Sequence, residues 1–305
     1  MPEKPIVLFD HDGGVDDYLS ILLLMSYDHL DVRGIVVTPA DCFINSAVGA
    51  TRKILDLVGR SDVPVAESTV RGLHPFPRDF RRDSVSIDHF PNLNEHDTIT
   101  TPLVPEPGQQ WLAAQLRAAP RPVTLLVTGP LTTVAAALDE EPALEHKIER
   151  MLWMGGALNT RGGVRDSEHD GTAEWNVYWD PAGAHRVWQT QFPILLCPID
   201  ITSTVPLTSE FIKQLGRQRR YPVSDLAGHC YALVSHQPYY FWDVLTTAYL
   251  GVPELFTTRD WETEILLDAP RQGRTALKPG GRVITALHSV DVPRFYEHML
   301  AQWRR

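Results

Sequence analysis

The chain has 305 residues, 43% of them hydrophobic, and its 38 Asp and Glu outnumber 28 Lys and Arg for a formal charge of -10. That length and apolar content suit one large domain, while the acidic balance, with no basic block, argues against nucleic-acid and anionic-membrane partners. Cys42, Cys197 and Cys230 are too far apart for a C-x-x-C pair, no apolar run is long enough to span a membrane, and the opening MPEK lacks a signal-peptide layout, so a cytoplasmic location is expected.

Short β-branched or leucine-rich runs alternate with stretches of helical period, which predicts an α/β chain. The expected architecture is a single domain over residues 1–305, with a mostly parallel open sheet, Rossmann-like in its core, flanked by helices. A strand is predicted over 6–9, a helix over 16–26, a strand over 34–38 and a helix over 46–58. Residues 68–107 then lack either period and are rich in Pro, Gly, Asp and Arg, as are residues 157–174. Both read as loop insertions of the kind that form lids and binding loops. Between them fall a helix at 109–117, a strand at 123–128, a helix at 131–138 and a strand at 151–154. Next come a helix at 181–188, a strand at 194–198, helices at 207–216 and 243–250, a strand at 282–287 and a covering helix at 291–303. Trp111, Trp188 and Trp303 lie on apolar helical faces and are expected in the core. Neither a G-x-G-x-x-G nor a P-loop pattern occurs, so dinucleotide and NTP chemistry have no support.

In open α/β sheets, ligands sit beyond the carboxyl ends of the strands. Directly after the first strand, Asp10, Asp12, Asp16 and Asp17 place four aspartates within eight residues. Capping a helix needs one or two carboxylates. Four together need a cation or strong donors to neutralise them, and hard oxygen ligands select calcium or magnesium over zinc or copper. Gly13 and Gly14 permit a tight turn in which Asp12 and Asp17 face one point, and Asp16 and Asp17 open a helix whose positive end favours carboxylates. An EF-hand loop is excluded: counting from Asp10, its fifth, sixth and twelfth positions hold Gly14, Val15 and Ile21 in place of an oxygen ligand, Gly and Glu. A haloacid-dehalogenase-like phosphatase would use Asp10 and Asp12 as nucleophile and acid. Against it, Gly14 stands where that family has Thr or Val, and the Asp16 and Asp17 pair comes too early.

The spacing of Asp10, Asp12, Asp16 and Asp17 resembles the D-x-D-x-x-x-D-D signature of the nucleoside hydrolase family, and further matches follow in order along most of the chain. Gly34-Ile35-Val36-Val37 with Asp41 is similar to the family's second strand and its ligand-contacting end. Thr128-Gly129-Pro130-Leu131-Thr132 resembles its T-G-P-L-T turn, and Met154-Gly155-Gly156 its M-G-G strand end. Ala173-Glu174-Trp175-Asn176 with Asp180-Pro181, and Trp242-Asp243-Val244-Leu245, resemble two later blocks.

The resemblance implies hydrolysis of the ribose–nucleobase bond of ribonucleosides, with a calcium ion held by Asp12, Asp17, the Thr128 carbonyl and Asp243. It implies Asp12 as general base toward the attacking water, and Asp16, Glu174, Asn176 and the Met154 backbone as ribose-binding groups. Trp242 stands where many members have His, which resembles the branch preferring inosine, adenosine and guanosine, in which the purine lies between aromatic rings. By that likeness Phe80, Trp175 and Trp242 would meet the base. Asp41 would contact the purine imidazole edge or a bridging water, or stay a solvated loop carboxylate. Two positions depart from the pattern: Phe80 replaces a Trp, and Gly163 replaces an Asn that contacts the sugar's 5′-hydroxyl. Tyr239 and Tyr240 are open between pocket lining and helix packing. Related enzymes suggest a homodimer or homotetramer. A nucleoside-binding protein without turnover is the remaining alternative.

Overall fold

The first strand, β1 (Ile6–His11), is buried at every position. It needs to be apolar on both faces because it pairs in parallel with β2 (Asp31–Val37) on one side and β4 (Val123–Val127) on the other, and helices cover both faces of the sheet. Alternation then sorts its side chains: Val7 and Phe9 enter one core layer, Ile6 and Leu8 the other. This is a computed structural model that describes residues 3–305; Met1 and Pro2, the head of the MPEK opening, lie outside the described residues.

The sheet has nine strands in the order β3-β2-β1-β4-β5-β6-β9-β7-β8, with β3 (Val65–Glu67), β5 (Ile148–Met154), β6 (Ile194–Cys197), β7 (Phe256–Ile265), β8 (Thr275–Leu277) and β9 (Arg282–Val290). Strands β1 to β6 and β9 are parallel, and β7 runs antiparallel to both β9 and β8. On one face lie α1 (Val15–Leu24), α2 (Ile44–Leu57), and the later helices α10 (Ser209–Arg217), α11 (Pro222–Val234), α12 (Asp243–Ala248) and α13 (Val292–Gln302). On the other lie α5 (Gly108–Ala118), α6 (Thr132–Glu140) and α8 (Pro181–Trp188). Short α3 (Arg78–Arg81), α4 (Asp83–Asp88), α7 (Trp175–Trp179) and α9 (Ile199–Thr202) sit in the connections.

The chain runs from β1 outward to β2 and β3, then returns to lay β4 on the opposite side of β1. That reversal opens a crevice at the carboxyl ends of β1 and β4, the place where such sheets bind ligands.

The predicted strands and helices are present with shifted ends. Thr38, Thr128 and Pro198 fall just outside their strands, and α12 stops two residues before the predicted 250. Three strands and a long helix are additions. β7 escapes the apolar-run criterion because most of its residues are exposed or half-exposed, its pairing resting on the ladder with β9. The first insertion is no plain loop: residues 68–107 carry α3, α4 and a 3-10 turn at Pro91–Leu93. Trp111, Trp188 and Trp303 are core residues as expected. No helix is long and apolar enough to cross a membrane.

Candidate active site

The acidic cluster fills the β1/β4 crevice. Gly13 takes φ of 80°, and a Cβ there would come within 2.6 Å of the Cys42 Cβ, so the turn after β1 accepts only glycine. Fully buried His11 props that turn: its Nδ1 accepts the Gly13 N–H at 3.1 Å, which leaves Nε2 to donate to Thr51 Oγ1 at 3.0 Å. Asp10 points away from the turn's tip. Its Oδ1 accepts from Thr38 at 2.7 Å, its Oδ2 is buried without a partner, and burial pushes its carboxyl up to about 8. A carboxyl that keeps its proton is a poor nucleophile, which disfavours the phosphatase reading.

Asp17 is the ionised member of the cluster. Burial opposes its charge, but the nearby His11 ring and the hydrogen bond from the Thr128 hydroxyl hold it below the ordinary carboxylate range, and the Gly14 N–H donates to it at 2.9 Å. Asp12 goes the other way: burial, then the charges of Asp17 and Asp41, raise it well above the usual value. The pair shares protons as a unit. Asp12 Oδ2 is sealed from water with no partner. Gly129 permits the approach, since a Cβ there would sit 2.6 Å from the Asp12 Cβ. Asp243, brought from the far end of the chain by α12, is raised by burial and then by Asp17, Asp16, Asp12 and Asp41. Among the described residues, no three His, Cys, Asp or Glu side chains close into a ready-made metal cage, yet Asp12 and Asp243 both lie near enough to Asp17 for its charge to raise their carboxyls.

Asp16 works inward. Its Oδ2 accepts the N–H groups of Asp243 (2.7 Å) and Val244 (3.0 Å) at the start of α12, and Oδ1 accepts from the Tyr231 hydroxyl at 3.1 Å. Burial outweighs these bonds and lifts the group to about 7. Asp16 therefore positions Asp243. On the neighbouring strand ends, Glu174 caps α7 by accepting from the N–H of Asn176 at 2.9 Å and also reaches the Gly156 N–H at 3.0 Å. Asn176 Nδ2 donates to the carbonyls of Thr128 (2.8 Å) and Met154 (3.0 Å), so one side chain ties the ends of β4 and β5. A carbonyl has two lone pairs, which leaves Thr128 one acceptor site to spare.

The aromatic residues form two groups. The Trp175 ring centre lies 5.6 Å from that of Phe76 and 6.0 Å from that of half-exposed Phe80. Trp242 packs on Tyr239 at 4.5 Å and Tyr240 at 5.7 Å. Both tyrosines belong to the connection between α11 and α12, where they back Trp242, and Tyr239 also packs against Tyr231 of α11 with ring centres 6.4 Å apart. Asp41 is half-buried, yet its Oδ1 is sealed and unpartnered and burial raises its carboxyl. Gly163 has φ of 89° with no atom within 4 Å of where a Cβ would lie. A surface concavity of about 370 Å³ beside β7 and β8 contains none of these residues.

The sequence profile of inosine-uridine preferring nucleoside hydrolases matches residues 7–297. The chain belongs to that family. A nucleoside hydrolase structure from Bacillus anthracis, an inosine-uridine preferring one, superposes with a TM-score of 0.95 at 40% identity, covering 98% of this chain and 99% of that one. The pyrimidine-specific ribonucleoside hydrolase RihA of Citrobacter koseri is 31% identical over 271 residues, 83% of this chain and 81% of its own. A purine-preferring ribonucleoside hydrolase from Gardnerella vaginalis shares the fold, with a TM-score of 0.80 at 21% identity over 98% of each chain. In this nucleoside hydrolase, sequence reading missed Thr38 and Tyr231, which donate to the carboxylates of Asp10 and Asp16, and His11, which props the Gly13 turn. Only His11, inside the aspartate signature, carried a local signal. Tyr231 lies 215 positions from its partner, and nothing in its neighbourhood marks it.

Proposed function

We propose that this nucleoside hydrolase is a calcium-dependent N-ribohydrolase with purine nucleosides as its preferred substrates. The supporting observation is the buried, unpartnered Asp12 Oδ2 in a cluster whose other carboxylates have no Lys or Arg ion pair among the described residues. Such a set fits a hard cation, which draws on carbonyls and water as well as carboxylates. Asp12, Asp17, Asp243 and the free lone pair of Thr128 would hold it. When bound, calcium positions and polarises the attacking water.

The chain's own groups supply the rest. Asp12, whose carboxylate lies in the cluster that would hold the water, takes the water's proton as general base. The negative crevice favours the positive charge that develops on the ribosyl carbon. Asp16, Glu174, Asn176 and the Met154 backbone hydrogen-bond the ribose hydroxyls through the acceptor and donor capacity left over from their bonds within the chain. A deoxyribose leaves part of that set unpaired and should be a poor substrate. Trp242 on one side, and Trp175 and Phe80 on the other, offer faces for the base, with Asp41 at its edge; a purine gains more stacking contact than a pyrimidine.

The likeness to the Citrobacter koseri enzyme favours a second reading, pyrimidine preference. Ribose release from inosine, adenosine, guanosine, uridine and cytidine, with calcium and after chelation, separates them. Faster cleavage of the purine ribosides, lost on chelation, is the expected result. Uridine and cytidine cleaved faster would install the second reading. Tight nucleoside binding with no ribose from any substrate would mark a binding protein.

A further inference from the structure

The proposed chemistry leaves the departing base with nothing to receive its charge, because Trp242, Trp175 and Phe80 stack but carry no cation. One arginine directly follows Phe80 in the chain and has no ion pair among the described residues. Arg81 closes α3, next to Phe80, and its carbonyl accepts from Ser84 Oγ at 2.7 Å. The same buried hydroxyl accepts the Phe43 N–H at 3.0 Å, so Ser84 pins Arg81 to the segment that follows Asp41. The guanidinium lies 5.5 Å from the centre of the Phe43 ring. Its Nε is sealed from solvent and makes no hydrogen bond, and Arg81 forms no ion pair among the described residues, whereas the adjacent Arg82 reaches Asp79 and Asp83. Its charge is felt at Asp41, where it works against the effect of burial. Arg81 also lines a cavity of about 170 Å³ with Ala40, Phe76 and Trp179, and Phe76 backs Trp175.

We propose that Arg81 donates hydrogen bonds to the carbonyl edge of the departing nucleobase. The inference rests on the ribohydrolase reading and adds a group that touches the leaving base. In the reaction the bond between C1′ and the base nitrogen breaks, and its electron pair stays on the base. The water oxygen bonds to C1′ and one water proton passes to Asp12. The base later takes a proton from solvent; Arg81 transfers none and lowers the energy of the anion by its charge and donors. A guanidinium has donors only. Bases with a carbonyl on the contacted edge, as in inosine, guanosine and uridine, therefore benefit, while the amino group of adenine meets donor with donor.

The test compares wild type, Arg81→Met and Arg81→Lys on inosine, adenosine and 4-nitrophenyl riboside, whose leaving group is a stable anion without help. Arg81→Met should lose roughly 10- to 100-fold in kcat on inosine, the usual scale for a hydrogen bond to a charged group, with a clearly smaller loss on adenosine and on 4-nitrophenyl riboside. Arg81→Lys, which keeps the charge, should recover part of the loss. Equal losses on all three substrates would mean that Arg81 merely packs against Phe43 and would overturn the proposal, as would full activity of Arg81→Met on inosine. If wild type releases ribose from no nucleoside, the ribohydrolase reading falls and takes this one with it; active wild type beside an unaffected Arg81→Met sinks this inference alone.

Discussion

Asp12 Oδ2 is buried and bonded to nothing, a state that costs free energy unless the oxygen is protonated or ligated. The neighbouring charges of Asp17 and Asp41 make ionisation harder still. A residue in that position pays in stability for chemistry, and Asp12→Ala should lower kcat on inosine by at least ~100-fold, the lower end for a general base. Folded Asp12→Ala releasing ribose at the wild-type rate would remove the assignment. Trp242 poses a separate question, because its ring is braced by Tyr239 and Tyr240 and remains half-exposed. Truncation to Ala should cost purine substrates about tenfold in kcat/KM, and pyrimidines less, if the exposed part of the ring stacks on the base. Equal losses for inosine and uridine would refute stacking and leave Trp242 as a wall.

At the scale of elements, the five-residue α7 carries Glu174 at its cap and Trp175 and Asn176 in its first turn, yet is too short to stand by itself. Three connections hold it. His74 stacks on Tyr178 with ring centres 4.2 Å apart and planes 5° from parallel, and the His74 N–H donates to the Trp179 carbonyl at 3.0 Å. His169 meets the other side of Tyr178 at 4.9 Å while its Nε2 faces the Gln272 carbonyl at 2.9 Å. Gly273, with φ of 82°, lets the β7–β8 connection lie against the α7 backbone, where a Cβ would come within 2.8 Å of Tyr178 Cα. Gly273→Ala therefore brings backbone strain and overpacking together, at a cost of about 2 kcal/mol. Urea unfolding should show a lower midpoint with an unchanged slope. A wild-type midpoint would mean that the connection shifts freely and that α7 does not depend on it.

For the whole molecule, burying so many carboxyls couples stability to pH. Glu174 is the cleanest case: burial lifts it from 4.5 to about 7 against the N–H groups that favour its charge. Between those values the folded state holds a proton that the unfolded state has released. The stabilisation is complete below the lower value and is lost as pH rises through the higher one, a swing of roughly 3 kcal/mol. Denaturant unfolding of the chelated protein from pH 5.5 to 8 should show stability falling with pH, and Glu174→Gln should flatten that slope. Parallel slopes for the two proteins would show that Glu174 does not bind the proton.

The aspartate signature after the first strand and the alternation of strand and helix were legible because both are local: burial on two faces forces apolar runs, and cation binding forces carboxylates into one turn. The sequence by itself therefore determined the α/β class, the family and most of the residues at the strand ends. Tertiary structure alone decided that β4 returns beside β1, that Asp16 spends its oxygens on α12, and that Arg81 is held beside Phe43 by Ser84. It also decided β7, whose charged residues make a strand only because β9 supplies a ladder. Such choices depend on partners tens to hundreds of positions away, and a hydrogen bond between distant residues leaves no periodicity in either stretch of chain.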